Sequence, residues 1–239
     1  HEKSSSKKLL IGGILLGIML CIASKLQQLG ITNGDSVGKA GFITSVYIML
    51  VPVVGLFFKK KTHPLIWLCA VVSAVGLYFL SVDPARGAFN IEFSDLAYLG
   101  CAVFFAVQII LVSIYSPQVN CIALSCIQFA VAAVFSGIGM LFFETPSFAA
   151  ILNAAGPLLY AGILSCGIAY TLQVIGQRGI DPAIASLIMC LESVFSVIAG
   201  FLLLNQRMTP REILGCGIMF AATVAAQLIP STQKKNSRN

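Results

Sequence analysis

One carboxylate stands alone in a hydrophobic run. Between Pro182 and Leu204 the sole charged side chain is Glu192, ten residues from the start of the run. If that run crosses a bilayer, a charge at its centre costs roughly 2.5–3.5 kcal/mol or more, and such residues persist when paired or when functional. A carboxylate at that depth can hold a cationic amine or take up and release a coupling proton. It can also be a protonated, hydrogen-bonded structural glutamate. Tyr170 and Gln173 share a helical face at i, i+3, with Thr171 beside them, and Ser24, Lys25 and Gln28 make a similar polar cluster near the start of the chain. Thr44, Tyr47 and Gln108 are further isolated polar residues in apolar runs. These side chains can line a polar solute path or hydrogen-bond between helices, a contact worth only about 0.6 kcal/mol on average. Lys25 lies close enough to a helix end to snorkel to the interface.

The same inventory argues against other chemistry. An intramembrane enzyme needs a nucleophile and base, a metal cluster or a carboxylate dyad. The two histidines, His1 and His63, lie outside the apolar runs, there is no HExxH, and Glu192 is the one acidic residue deep in a run. The eight cysteines lie within or at the ends of the runs without a CxxC pair, which reads as packing and not as disulfides or zinc ligands. No nucleotide-binding loop is present. No metal and no cofactor is therefore expected, and any uphill work must draw on a gradient or on exchange.

The elements that carry these residues are apolar runs near Leu9–Leu29, Ala40–Phe58, Pro64–Val82, Leu96–Tyr115, Cys121–Phe143, Ala150–Ile175, Pro182–Leu204 and Ile213–Ile229. About 20 apolar residues at 1.5 Å each cross the roughly 30 Å hydrocarbon layer. The runs lack the alternation a membrane β-barrel needs, so helices must satisfy their backbone groups. The predicted fold class is all-α transmembrane, with about eight spans. With 58% hydrophobic and 10% charged residues and a mean hydropathy of +0.93, no soluble domain fits between them.

The net charge of +6 is read as orientation and not as nucleic-acid binding. With the N-terminal tail inside, the cytoplasmic side collects Lys3, Lys7, Lys8, Lys59, Lys60, Lys61, Arg178, Lys234, Lys235 and Arg238, against Arg86, Arg207 and Arg211 outside, with Lys25 and Lys39 near helix ends at the outer side weakening the contrast. This bias predicts a multi-pass protein of the cell membrane with both termini cytoplasmic.

The chain also resembles itself. Gly13-Ile14-Leu15 and Gly30-Ile31 recur as Gly162-Ile163-Leu164 and Gly179-Ile180 at one offset of 149, and His63-Pro64 recurs as Thr209-Pro210 at 146, with the three-residue slip in the loop near Ile31–Gly38. Residues 1–83 then hold three helices of a first repeat, residues 94–230 a second repeat of five, and residues 231–239 a tail. By symmetry, two helices are expected before the first. Matching helices lie five spans apart, so the halves are inverted, an architecture usual in secondary transporters with a midplane substrate site.

These segments are similar to the drug/metabolite transporter superfamily of the EamA type. The resemblance is carried by Ala40-Gly41-Phe42-Ile43-Thr44-Ser45-Val46-Tyr47 leading to Val51-Pro52-Val53, by Val75-Gly76-Leu77-Tyr78, and by Leu191-Glu192-Ser193-Val194-Phe195 followed by Gly200 and Leu202-Leu203-Leu204. Ser193 stands where a proline is common and Gln206 where a glutamate is common. The resemblance implies ten helices in two repeats, a cavity lined by the helix that carries Glu192, and export of small metabolites or drugs by alternating access. The candidate lining is Glu192, Tyr170, Gln173, Ser24, Gln28, Tyr47, Thr44 and Gln108. The expected partners are a small-molecule substrate, membrane lipid and, as an open option, a second copy of the chain. A passive channel or a non-transporting membrane scaffold is the alternative.

Overall fold

The computed structural model describes residues 2–33, 37–58, 62–81, 93–143, 147–204 and 209–229. Lys59–Lys61, Arg86, Gln206, Arg207 and the tail from residue 230 lie outside them, as does the side chain of Lys39. The helices are α1 (Glu2–Asn33), α2 (Val37–Ser45), α3 (Tyr47–Phe57), α4 (Pro64–Ser81), α5 (Phe93–Tyr115), α6 (Cys121–Phe143), α7 (Phe148–Asn153) and α8 (Ala155–Leu159), then a π-helical stretch Tyr160–Tyr170, followed by α9 (Thr171–Gly176), α10 (Pro182–Leu204) and α11 (Pro210–Leu228). Eight spans among the described residues are long and apolar enough to cross a membrane. They fall where the apolar runs predict, and the protein is an all-α transmembrane bundle.

Two predicted spans are not single rods. The second breaks at Val46, whose carbonyl accepts from both Met49 N at 2.9 Å and Leu50 N at 3.2 Å. Pro52 lies just beyond and has no N–H for the Ile48 carbonyl, which loosens the ladder there. The sixth breaks at Ala154, between α7 and α8, next to the Asn153 carbonyl that Pro157 leaves without its i+4 donor. Beyond α8 the backbone winds as a π-helix for eleven residues, and every residue from Tyr160 to Ala169 is exposed, so no neighbour pins its register.

The chain separates into two compact units. One comprises residues 1–22 and 111–180, the other residues 23–110 and 181–239.

In the first unit, α1 meets α6 through glycines. A Cβ on Gly13 would stand 2.4 Å from Ile127 Cγ2, and one on Gly17 would stand 2.6 Å from the Gln128 carbonyl and 2.7 Å from Val131 Cβ. Gly13 and Gly17 thus let the two helices approach closely, as small residues spaced four apart do in membranes. Gly12 makes the same accommodation for the Tyr115 ring at 2.8 Å. Lys8 Nζ donates to Gln118 Oε1 at 2.8 Å, Cys21 Sγ lies 3.6 Å from Ser136 Oγ, and α9 packs on α6.

In the second unit, α4 lies along α11, with Gly76 and Gly215 crossing so closely that a Cβ on Gly215 would stand 2.6 Å from the Gly76 carbonyl. The packed face of α11 is Gly215, Met219, Ala222, Thr223 and Ala226. Ala221 and Ala225, a small-residue pair on the same helix, are exposed. Thr223 Oγ1 donates to the Leu187 carbonyl at 3.3 Å, tying α11 to α10, and α10 also packs on α3 and α4. The α1 segment from Ala23 meets α5, where Gly30 faces the Tyr98 ring and Gly100 faces Leu26.

The helix starts repeat as the sequence does. Pro64 and Pro210 each open a helix, where a missing N–H costs nothing. His63 Nδ1 accepts from Leu65 N at 3.2 Å, and Thr209 forms a capping box with Glu212. The two copies end the helix before the slip differently. Gly179 takes φ +78 and follows the end of the helix at Gly176, whereas its counterpart Gly30 stays helical and α1 runs three residues further, to Asn33.

Candidate functional site

Glu192 is the eleventh of the 23 residues of α10 and so sits at the centre of the span. The helix starts cleanly because Asp181 Oδ1 accepts from Ala183 N at 2.9 Å. Its packed side carries Leu187, Cys190 and Val194, and the Cys190 thiol reaches the Ser45 hydroxyl. At 100° per residue, Glu192 is turned about 200° from Cys190, away from the helices that hold α10. It is exposed and makes no hydrogen bond or ion pair among the described residues. A charged carboxylate at mid-span costs roughly 2.5–3.5 kcal/mol or more against lipid tails, a cost that water, a proton or a bound cation would relieve.

The other predicted residues of the second unit divide by burial. Thr44, Tyr47 and Gln108 are buried, at 7%, 8% and 1% exposure, while Ser24 and Gln28 are exposed on α1. Tyr47 opens α3, a neighbour of α10, so the structure brings that pair of elements together. Thr44 Oγ1 and Gln108 Oε1 have no hydrogen-bond partner. In the first unit, Tyr170 ends the π stretch and Gln173 lies in α9; both are half-buried.

The sequence reading missed two residues of the same kind. Ser125 and Gln128 lie on the buried face of α6, at 1% and 0% exposure, and the Ser125 hydroxyl and both amide atoms of Gln128 have no partner. Their signal was in plain sight, an i, i+3 polar pair inside an apolar run, as at Tyr170 and Gln173. At the end of the same seam a shallow pocket of about 230 Å³ is lined by Asn120, Cys121, Ile122, Ile175 and Arg178.

Among the described residues, no group of three histidine, cysteine or acidic side chains is placed to hold a metal ion. All eight cysteines are free thiols. What the chain presents instead is neutral polar groups buried in apolar helices and one central carboxylate, which can recognise a solute by hydrogen bonding and charge.

Known proteins share the fold. A solved crystal structure of a protein has the same fold with a TM-score of 0.73 at 17% identity, covering 95% of this chain and 87% of that one. An uncharacterized transporter of Archaeoglobus fulgidus is 28% identical over 218 residues, which is 90% of this chain and 68% of that protein. Residues 92–226, more than half of the chain, match the EamA-like transporter family. The eight-span bundle is therefore a membrane transporter, and the chain belongs to the EamA-like transporter family.

Proposed function

We propose that the protein is a secondary transporter of the cell membrane that exports small metabolites or drugs by alternating access, with Glu192 as its substrate-amine or proton-coupling group. The observation that carries this reading is the position of Glu192, central in α10, exposed and about 200° round the helix from the packed Cys190. A structural glutamate would gain from a partner within the bundle. An exposed one at mid-span needs water, a proton or a cation.

The inverted repeat supports alternating access between two related halves. The absence of a nucleotide-binding loop from the sequence supports a gradient or exchange as the driving force. Further candidates for solute contact are Ser24, Gln28, Tyr47, Thr44 and Gln108 in the unit of Glu192, and Tyr170 and Gln173 in the other unit. On this reading the chain is not an enzyme, its partners are a small-molecule substrate and lipid, and both termini are cytoplasmic.

The test is transport in vesicles carrying the protein, in both orientations, across a panel of labelled metabolites and over a range of pH. Glu192→Gln should insert and fold but move solute more slowly or with a flattened pH profile. Full activity of that variant at every pH would remove Glu192 from the mechanism.

A further inference from the structure

We propose that Ser125 and Gln128 form a binding site on α6 for a neutral group that both donates and accepts hydrogen bonds, a carboxamide or a hydroxyl. The Ser125 hydroxyl, the Gln128 carbonyl oxygen and the Gln128 NH₂ are all buried and all lack a partner. Buried polar atoms in proteins are nearly always paired, and inside a membrane there is no surrounding water to make up the deficit. A leucine at position 128 would fill the same space without that penalty, so packing gives no reason for the amide.

The chemistry of the missing partner follows from the surroundings. The α6 span Cys121–Phe143 and the α1 stretch Ile11–Cys21 that it meets hold no charged residue, so an ionic group would find no counter-charge. A glutamine amide and a hydroxyl together offer donors and acceptors, and they are complemented by a neutral group with the same capacity.

The place of the pair in the fold connects it to solute. The pocket at the end of the α6–α9 seam joins Cys121 and Ile122 to Ile175 and Arg178, so the two helices run antiparallel along it. Gln128 lies seven residues, about 10 Å, along α6 from the Cys121 end of that pocket. Ser125 and Gln128 add a buried polar pair on α6 to Tyr170 and Gln173 of the same unit. Their role in handling a transported solute rests on the transport reading, whereas the existence of the site does not.

The test is alkylation of Ser125→Cys in membranes, followed by peptide mass spectrometry, with the exposed native Cys126 in the same peptide as internal reference. Two small neutral reagents are compared: iodoacetamide, which carries a carboxamide, and methyl methanethiosulfonate, which does not. The introduced thiol should react with both. Adding Gln128→Leu should slow iodoacetamide about tenfold and leave methyl methanethiosulfonate within about twofold, as expected for losing hydrogen bonding to the reagent. No reaction with either reagent would overturn the proposal, and so would rates that fall together or stay unchanged. Gln128→Leu alone should melt no lower than wild type; a lower melting temperature would show that the amide serves packing and would also overturn it. Neither readout depends on transport, so a wild-type protein that moves no solute would sink the transport reading and leave this site to its own result.

Discussion

Glutamine at position 192 keeps the outline of the glutamate and removes the charge, which makes it the sharpest single-residue probe of this protein. A second residue prediction concerns a place where no side chain fits. A Cβ at position 215 would meet the Gly76 carbonyl at 2.6 Å and Leu80 N at 2.9 Å, both backbone atoms that cannot swing aside. Gly215→Val should cost about 1–3 kcal/mol through overpacking and lower the melting temperature in detergent. Gly217→Ala, where nothing lies within 4 Å, should not. Residue chemistry was partly legible in the sequence. Glu192 was conspicuous because charge is rare in such runs, and its central place in α10 follows from counting. Whether a polar residue is buried, exposed or half-buried was not legible, because in a uniformly apolar helix the sequence carries little sign of which face packs. Thr44, Gln108 and Gln128 turn inward while Ser24 and Gln28 do not.

At the scale of elements, the starts of helices are written locally and can be tested locally. Thr209 accepts from Glu212 N at 3.3 Å, and Glu212 Oε2 accepts from Thr209 N at 2.6 Å. Thr209→Ala removes half of that reciprocal cap and should cost about 1 kcal/mol, read as a small drop in melting temperature with transport unchanged. The matching proline starts of α4 and α11 were visible as a repeat for the same reason, since caps are set by a few adjacent residues. Interruptions inside spans were less visible. Pro52 and Pro157 announce trouble, yet the breaks fall at Val46 and Ala154, several residues upstream, where the ladder can yield. The π stretch had no sequence signal, because it reflects missing lateral contacts and not local propensity.

For the whole molecule, the bilayer made the sequence easy to read. It imposes one length and one polarity on every span, so all eight spans were found by inspection, with ends differing by a few residues. Orientation is the matching prediction at this scale. Single cysteines introduced at Lys60 and in the C-terminal tail should be labelled from the cytoplasmic side, and one at Arg86 from the other. Cytoplasmic labelling at Arg86 would reverse the assignment that rests on the lysine distribution.

The π stretch has a bearing on how the two repeats can be compared at all. Gly13 and Gly30 map onto Gly162 and Gly179 with the same spacing, so neither copy has gained or lost a residue in between. Yet Ile11–Cys21 winds as an α-helix and Tyr160–Tyr170 as a π-helix with more residues in each turn. Equal counts on screws of different pitch end out of phase. Gln173 and Ser24 share an alignment column, but from one flanking glycine to the next they do not share a bearing around their helix axes. Contacts carried from one repeat to the other by counting residues will therefore be rotated away from their partners, and the symmetry of this protein has to be followed in angle as well as in number.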